Sequence, residues 1–421
     1  MISQKEPTKL CGLVLLSICA FVYVILGGCR EREITTVPIA GGPGYVEDYW
    51  VRVLLADNVK SCSIRPAGAY TILNRDTNSV IGRFAKSDST IMITASSGVL
   101  VVGNMPVSAA KIEIEPEQPF LVYVNNKGFR GEIQITSNSN GTFDVVNRVP
   151  MEAYLAGVVG AEMPPYWDIE ALKAQSVACR TYCLYSKQNK GRFRNWDVMG
   201  TEASQVYRGI TAESPRVWQA VNETAGQTLF SKDEDGKTSL MPAYFSSFCG
   251  GRSESSQKVF GVKFESLDGV QCQNCVKVVN KDKFFWPAAE FDKKTVQQRL
   301  LAKYPSLAKL GDIAAIMIAE RSESYGYSRM VRVRIIGSNG QGETIRAEDL
   351  RLTIDPTGHK IKSTACQIGS DGTKFTFFGG RGFGHGVGLC QYGVLAMARE
   401  GSKYRDILEF YYPRSVIKKL Y

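Results

Sequence analysis

Residues 147–185 read N-R-V-P-M-E-A-Y-L-A-G-V-V-G-A-E-M-P-P-Y-W-D-I-E-A-L-K-A-Q-S-V-A-C-R-T-Y-C-L-Y. The pattern predicts two helices joined by a rigid elbow, with a carboxylate at the elbow. Pro150 suits a first helical position, where its missing N–H costs nothing, and Glu152 complements the positive end of that helix. Tyr154, Leu155, Val158 and Val159 recur at a helical period. Gly157 and Gly160 weaken the first helix, and Pro164 with Pro165 stops it. Asp168 is placed to cap the second helix, with Trp167 and Leu172 as a hydrophobic staple around the cap.

The second helix, expected over 169–185, has two apolar sides. At about 100° per residue Ile169, Leu172, Ser176, Cys179 and Cys183 share one of them. Ala171, Ala174 and Ala178 line the other. Lys173 and Arg180 border the larger stripe, and two readings stay open for them. Their stems snorkel past the core, or they face a polar groove and hold an anionic or hydroxyl-rich substrate. Glu162 is the carboxylate at the elbow. It follows a helix C-terminus, whose dipole disfavours negative charge, and Met163, Tyr166 and Trp167 are placed to shield it. Both effects raise its pKa, which is what a general acid needs. The alternative is an ordinary surface glutamate beside a turn.

The stretch V-P-M-E-A-Y-L-A-G-V-V-G-A-E-M-P, followed by A-L-K-A-Q-S-V-A-C-R-T-Y, resembles the signature of the SpoIID/LytB family. These are the stage II sporulation protein D and amidase-enhancer-like proteins of the bacterial cell wall. The resemblance implies an α+β SpoIID-like fold, in which a β-rich N-terminal scaffold packs with the helical signature region. It implies lytic transglycosylase action on peptidoglycan glycan strands, with Glu162 matching the catalytic glutamate and Lys173 a basic residue lining the groove. A non-catalytic, wall-binding enhancer of an amidase is the alternative within the family, and a glycan hydrolase remains open.

Further stretches carry the same resemblance. Residues 128–135, G-F-R-G-E-I-Q-I, are similar to the family strand that precedes the helices. Q-V-Y-R-G at 205–209 and A-Y-F-S-S-F-C-G-G at 243–251 follow. Their glycines let backbone approach a ligand, and Ser246, Ser247 and Ser253 offer hydroxyls to sugar groups. Tyr207 and Tyr244 either stack on pyranose rings or pack half-buried. Residues 379–393, G-G-R-G-F-G-H-G-V-G-L-C-Q-Y-G, resemble the glycine-rich loop of the family. No Lys-Ser/Thr follows, so the fit to a nucleotide loop is poor. His385 and Gln391 in this loop are candidate substrate contacts. Several family members carry His and Cys just before Q-x-Y-x-G and bind zinc there; this chain has only residues 197–204, without His or Cys.

The remaining sequence sets location and organisation. Residues 1–29 read as a lipoprotein signal peptide: Lys5 and Lys9, an apolar run at 13–26, then L-G-G-C, with Cys29 the expected acylated N-terminus. An uncleaved anchor is the alternative. A tether is expected over 30–45, a β-rich part over 46–148 and the catalytic part over 149–421. Short alternating runs at 50–55, 91–95, 99–102, 111–114 and 120–124, punctuated by turns such as Asn125-Asn126, predict an antiparallel scaffold. The net charge is +10. Lys and Arg are spread evenly without a nucleic-acid motif, so anionic wall polymer and lipid headgroups are the expected partners, with a cell-wall amidase the further one. No cofactor is required. Cys272 and Cys275 form a lone C-x-x-C motif, with Cys249 upstream and Cys390 downstream. Zinc, disulfides and buried thiols all remain open for these four.

Overall fold

Val51 and Val53, Ile112 and Ile114, and Ile133 and Ile135 are buried pairs at a spacing that puts both side chains on one face of a strand. They belong to a seven-stranded sheet in the spatial order Val198–Met199, Trp50–Val59, Phe143–Pro150, Glu132–Ser137, Lys111–Pro116, Tyr70–Asn74 and Ser79–Phe84. A six-stranded sheet runs Lys127–Arg130, Leu121–Val124, Ser61–Pro66, Ile91–Ser96, Val99–Val102 and Met105–Val107. Ile64, Ile93, Leu100 and Val122 from the second sheet share one core with the first. All pairings in both sheets are antiparallel except Val198–Met199, which lies parallel to Trp50–Val59. Asn125 and Asn126 both have positive φ, the turn that a two-residue hairpin between right-twisted strands requires.

The computed structural model describes residues 49–96, 99–233, 235–324 and 327–421. Cys29, the signal segment and the tether lie outside the described residues. Among the described residues no helix is long and apolar enough to cross a membrane.

The strand Phe143–Pro150 feeds directly into helix α1, Met151–Glu162. Every α1 residue from Met151 to Val159 is buried, so this helix has no solvent face to be amphipathic about. Gly157 and Gly160 have a packing purpose beyond weakening the helix. A Cβ at Gly160 would stand 1.9 Å from the Ala212 carbonyl oxygen, and one at Gly157 would stand 2.5 Å from the Tyr207 ring. The two glycines let residues 207–212 lie against α1. Helix α2, Ile169–Asn189, opens as the spacing predicts: the Asp168 side chain accepts from the Glu170 N–H at 2.9 Å. Helix α3, Pro215–Glu223, packs on both.

Residues 286–377 carry a second core of their own, with Phe375, Phe377, Val333, Ile335 and Leu350 fully buried in it. The strands Ile313–Ser324, Tyr327–Gly337 and Gly342–Arg346 form one antiparallel sheet there, beside the helices Lys293–Lys303 and Ala347–Ile354. The chain enters and leaves this lobe through one short pairing, Phe285 with Arg381 and Trp286 with Gly380. The part expected over 149–421 therefore divides between this core and the first one, which it shares with the strands of the scaffold. The whole is α+β, with the helices gathered after the strands of the scaffold.

Candidate functional site

Glu162 is the last residue of α1, before Met163 turns into extended backbone. It keeps partial solvent access at a densely packed position. Oε1 accepts the Val206 N–H at 2.9 Å, and Oε2 accepts the Gln391 side-chain amide at 3.2 Å. Among the described residues no Lys or Arg forms an ion pair with it; the charge of Arg208 lowers its pKa less than either of the two hydrogen bonds does. Burial is the largest influence and raises its pKa, with the charge of Glu202 adding to it, while the two hydrogen bonds pull the other way. The net direction is upward. Met163 and Trp167 are buried beside the elbow, whereas Tyr166 is 78% exposed and shields nothing.

Gln391 comes to Glu162 from the far end of the chain, on the first turn of the helix Gln391–Arg399. Its loop is stitched to the serine-rich loop. Phe245 pairs with Leu389 and Ser246 with Cys390, and the Tyr392 N–H donates to the Ser247 carbonyl at 3.0 Å. Ser246 therefore sits by register one residue from Gln391. Its Oγ is buried and has no hydrogen-bond partner among the described residues, which is uncommon for a buried hydroxyl. Gly388, at φ +70°, makes the close approach possible, since a Cβ there would lie 2.1 Å from the Tyr244 carbonyl oxygen.

Several expected contacts are corrected by their surroundings. Arg180 is fully buried and neither snorkels nor faces a groove. It binds Glu152 through Nε and an Nη at 3.2 and 2.6 Å, and donates to the carbonyl oxygens of Gln227 and Val221. Tyr207 is a packing residue: it is 6% exposed, between Phe129 and Tyr154, and donates to Asn147 Oδ1 at 2.9 Å. Ser253 is fully buried and its hydroxyl accepts from the Val270 N–H, which closes a loop. Lys173 pairs with Glu170 at 2.9 Å and Glu223 at 2.5 Å, so its charge is compensated within the chain. His385 Nδ1 accepts the Val387 N–H, the ring bonds to the Phe245 backbone, and Tyr244 and Phe260 flank it. Burial lowers its pKa to about 4, so it is neutral and structurally engaged.

The four cysteines do converge. Cys249, Cys272, Cys275 and Cys390 are all buried, with every sulfur within 4.8 Å of the other three. In residues 197–204, which hold no His or Cys, Asp197 is buried and takes the Arg52 guanidinium at 2.7 Å.

Other contributors have no motif to announce them. The Val206 N–H is a backbone donor, visible only once the chain folds back on α1. Arg329, fully buried, reaches from the second lobe to the carbonyl oxygens of Cys249 at 2.9 Å and Gly384 at 3.2 Å, holding both loops. Glu202 lies in the stretch read as a lost metal site, and its charge reaches Glu162. Trp167 and Tyr392 meet edge to face with centroids 5.1 Å apart.

The sequence of this region is similar to known proteins. The SpoIID family model, described as stage II sporulation protein, matches residues 139–230, which include α1, the elbow, α2 and Val206. An uncharacterized protein of Brachyspira hyodysenteriae (strain ATCC 49526 / WA1) is 31% identical over 362 residues, 86% of this chain and 91% of that protein. The stage II sporulation protein D of Bacillus subtilis (strain 168) is 29% identical over 290 residues, covering 65% of this chain and 76% of the relative. The amidase enhancer of Bacillus subtilis (strain 168) is 28% identical over 297 residues, but the match spans only 40% of its length. With the elbow glutamate, both helices and their packing glycines inside the matched stretch, and similarity extending over most of its length, the chain belongs to the SpoIID family.

Proposed function

We propose that the protein cleaves peptidoglycan glycan strands as a lytic transglycosylase, with Glu162 as general acid and then base. The observation that carries this reading is a partly accessible carboxyl, unpaired with any cation among the described residues, whose pKa is raised by burial. In the first step the Glu162 carboxylic acid gives its proton to the glycosidic oxygen, and the bond from that oxygen to muramic acid C1 breaks. The resulting carboxylate then takes the proton of the muramic acid C6 hydroxyl, whose oxygen bonds to C1. The products are a new 4-hydroxyl end and a 1,6-anhydro end, with no water consumed. One carboxylate suffices because the substrate supplies the nucleophile, whereas hydrolysis normally uses two. Glu152, Asp168 and Glu170, the carboxylates nearest in sequence, are taken up by Arg180, by the helix cap and by Lys173 with the Tyr404 N–H. Gln391 orients Glu162 through its side-chain amide.

In this reading the chain is exported and held at the membrane through lipid on Cys29, facing the cell wall or periplasm. The L-G-G-C stretch supports the anchor, and the net charge of +10 suits anionic wall polymer.

The test digests denuded glycan strands with wild type and with Glu162→Gln and reads the products by mass. Anhydro ends, one water lighter than reducing ends, are expected from wild type, with a rate loss of about 10²–10⁴-fold in the variant. Reducing ends from wild type make the protein a hydrolase, with Glu202 the first candidate for the second carboxylate. Equal activity in both removes Glu162 from the site. No activity in either favours the second reading, drawn from the relative named amidase enhancer: a wall-binding protein that stimulates an amidase.

A further inference from the structure

We propose that Cys249, Cys272, Cys275 and Cys390 hold one structural zinc ion in a closed, tetrahedral, all-thiolate site. The four residues come from three separate segments: the loop after Phe245–Ser246, the start of the short helix Asn274–Val278, and the residue that caps Gln391–Arg399. Cys249 and Cys390 are nonetheless neighbours, because the Cys249 N–H donates to the Cys390 sulfur at 3.3 Å. The sulfurs form one group of four, all within 4.8 Å of one another, and Cys249 and Cys275 are 3.7 Å apart.

That spacing discriminates between occupants. With Zn–S bonds of about 2.3 Å, the edge of a tetrahedron of sulfurs is about 3.8 Å. A disulfide needs sulfurs about 2.05 Å apart and brings them together in twos rather than fours. The thiolates of an iron–sulfur cluster bind different irons, which spreads them beyond a single-ion cage. Burial argues for a structural ion over a redox one. Cys249, Cys272 and Cys275 are fully buried and Cys390 is 1% exposed, so no open position is left for substrate and no sulfur edge for an electron donor.

The surroundings fit thiolates. Besides the Cys249 N–H, the Tyr411 hydroxyl lies 3.1 Å from the Cys272 sulfur, a second donor of the kind that orients metal-bound sulfur. Gly393 closes the cradle: a Cβ there would stand 1.9 Å from the Tyr411 hydroxyl and 3.1 Å from the Cys272 sulfur. An ion in this position would tie the serine-rich loop to the loop that delivers Gln391. The four cysteines lie outside residues 197–204, and the site stands whether or not Glu162 is catalytic.

The experiment uses the full chain, purified without chelator. Metal content is measured by inductively coupled plasma mass spectrometry, and thiols are counted by alkylation after denaturation. The expected result is one zinc per chain with all four cysteines alkylated. Cobalt(II) supplied in place of zinc should give the intense sulfur-to-metal charge-transfer bands and visible bands of a tetrahedral thiolate site. Cys272→Ser/Cys275→Ser should bring zinc to background; if that variant fails to fold, the wild-type measurements decide alone. Four thiols without metal, disulfides among the four, or iron in place of zinc would each overturn the assignment, as would full zinc retention in the folded double variant.

Discussion

Helix α1 carries a glutamate at each end, and the two have opposite environments. Glu152, in the first turn, has the positive end of the helix beneath it. Its carboxylate takes the buried Arg180 guanidinium, the Tyr421 hydroxyl at 2.5 Å and the Gly226 N–H at 3.4 Å. Glu162, in the last turn, has the negative end behind it and, among the described residues, hydrogen bonds from one backbone N–H and one side-chain amide. One carboxylate is buried as an ion with its counter-ion supplied. The other is packed so that the neutral acid is favoured. Burial raises a carboxyl's pKa where no cation stands against it, as at Glu162 among the described residues.

The same substitution at both ends tests this contrast most strongly. Glu152→Gln leaves Arg180 buried without its counter-charge, which costs about 3–5 kcal/mol of stability. Glu162→Gln costs turnover instead and leaves the fold intact. Its effect on stability has a definite sign. The folded carboxyl has a raised pKa, so the folded state holds its proton at pH values where the unfolded chain has lost it. Wild-type stability therefore declines as pH climbs from the ordinary carboxylate pKa to the folded one, and Glu162→Gln lacks that decline. Thermal melts from pH 4 to 8 should show Glu162→Gln gaining on wild type as pH rises, and Glu152→Gln well below both. Equal losses in the two variants would erase the distinction.

A smaller effect is expected where the carboxyl is tuned. Gln391→Leu removes a hydrogen bond that lowers the Glu162 pKa. In the proposed mechanism cleavage uses the protonated acid, so activity should fall as pH rises through that pKa, and the alkaline limb of the kcat/KM profile should move to higher pH in the variant. An unmoved limb separates Gln391 from the titrating group. The smallest effect concerns Lys173. Glu223 is exposed and Glu170 half-buried, and Glu170 keeps the Tyr404 N–H when the lysine is removed, so Lys173→Ala should change stability by about 1 kcal/mol and leave cleavage near wild type. A large rise in KM would return Lys173 to the substrate groove.

Much of the hub was legible in its own sequence. The two helices, the proline stop, the Asp168 cap and the position of Glu162 at the elbow are local features, each set by the backbone preferences of a few neighbouring residues. The Asn125-Asn126 hairpin is of the same kind. Arg180 was not legible, because helical spacing tells which side a residue faces but not what stands there. What stands there is Glu152, from the preceding helix. Gly157 and Gly160 looked like weaknesses in a helix, and their use appears only when residues 207–212 lie against it. His385 drew attention for its glycine neighbours, yet its ring is occupied by backbone and lined by aromatic side chains.

The sequence by itself determined the family signature, the α+β class, the elbow carboxylate and the four cysteines as a set. Only the tertiary structure decided that Glu162 meets Val206 and Gln391 and, among the described residues, no ion-pairing cation, that Arg180 is a counter-ion, that residues 286–377 form their own core, and that four sulfurs from three segments meet. The physical reason is range. Dihedral preferences, caps and periodicity act over a few residues, whereas desolvation and ion pairing depend on which distant segments exclude water from a group, and that is settled only when the whole chain has packed.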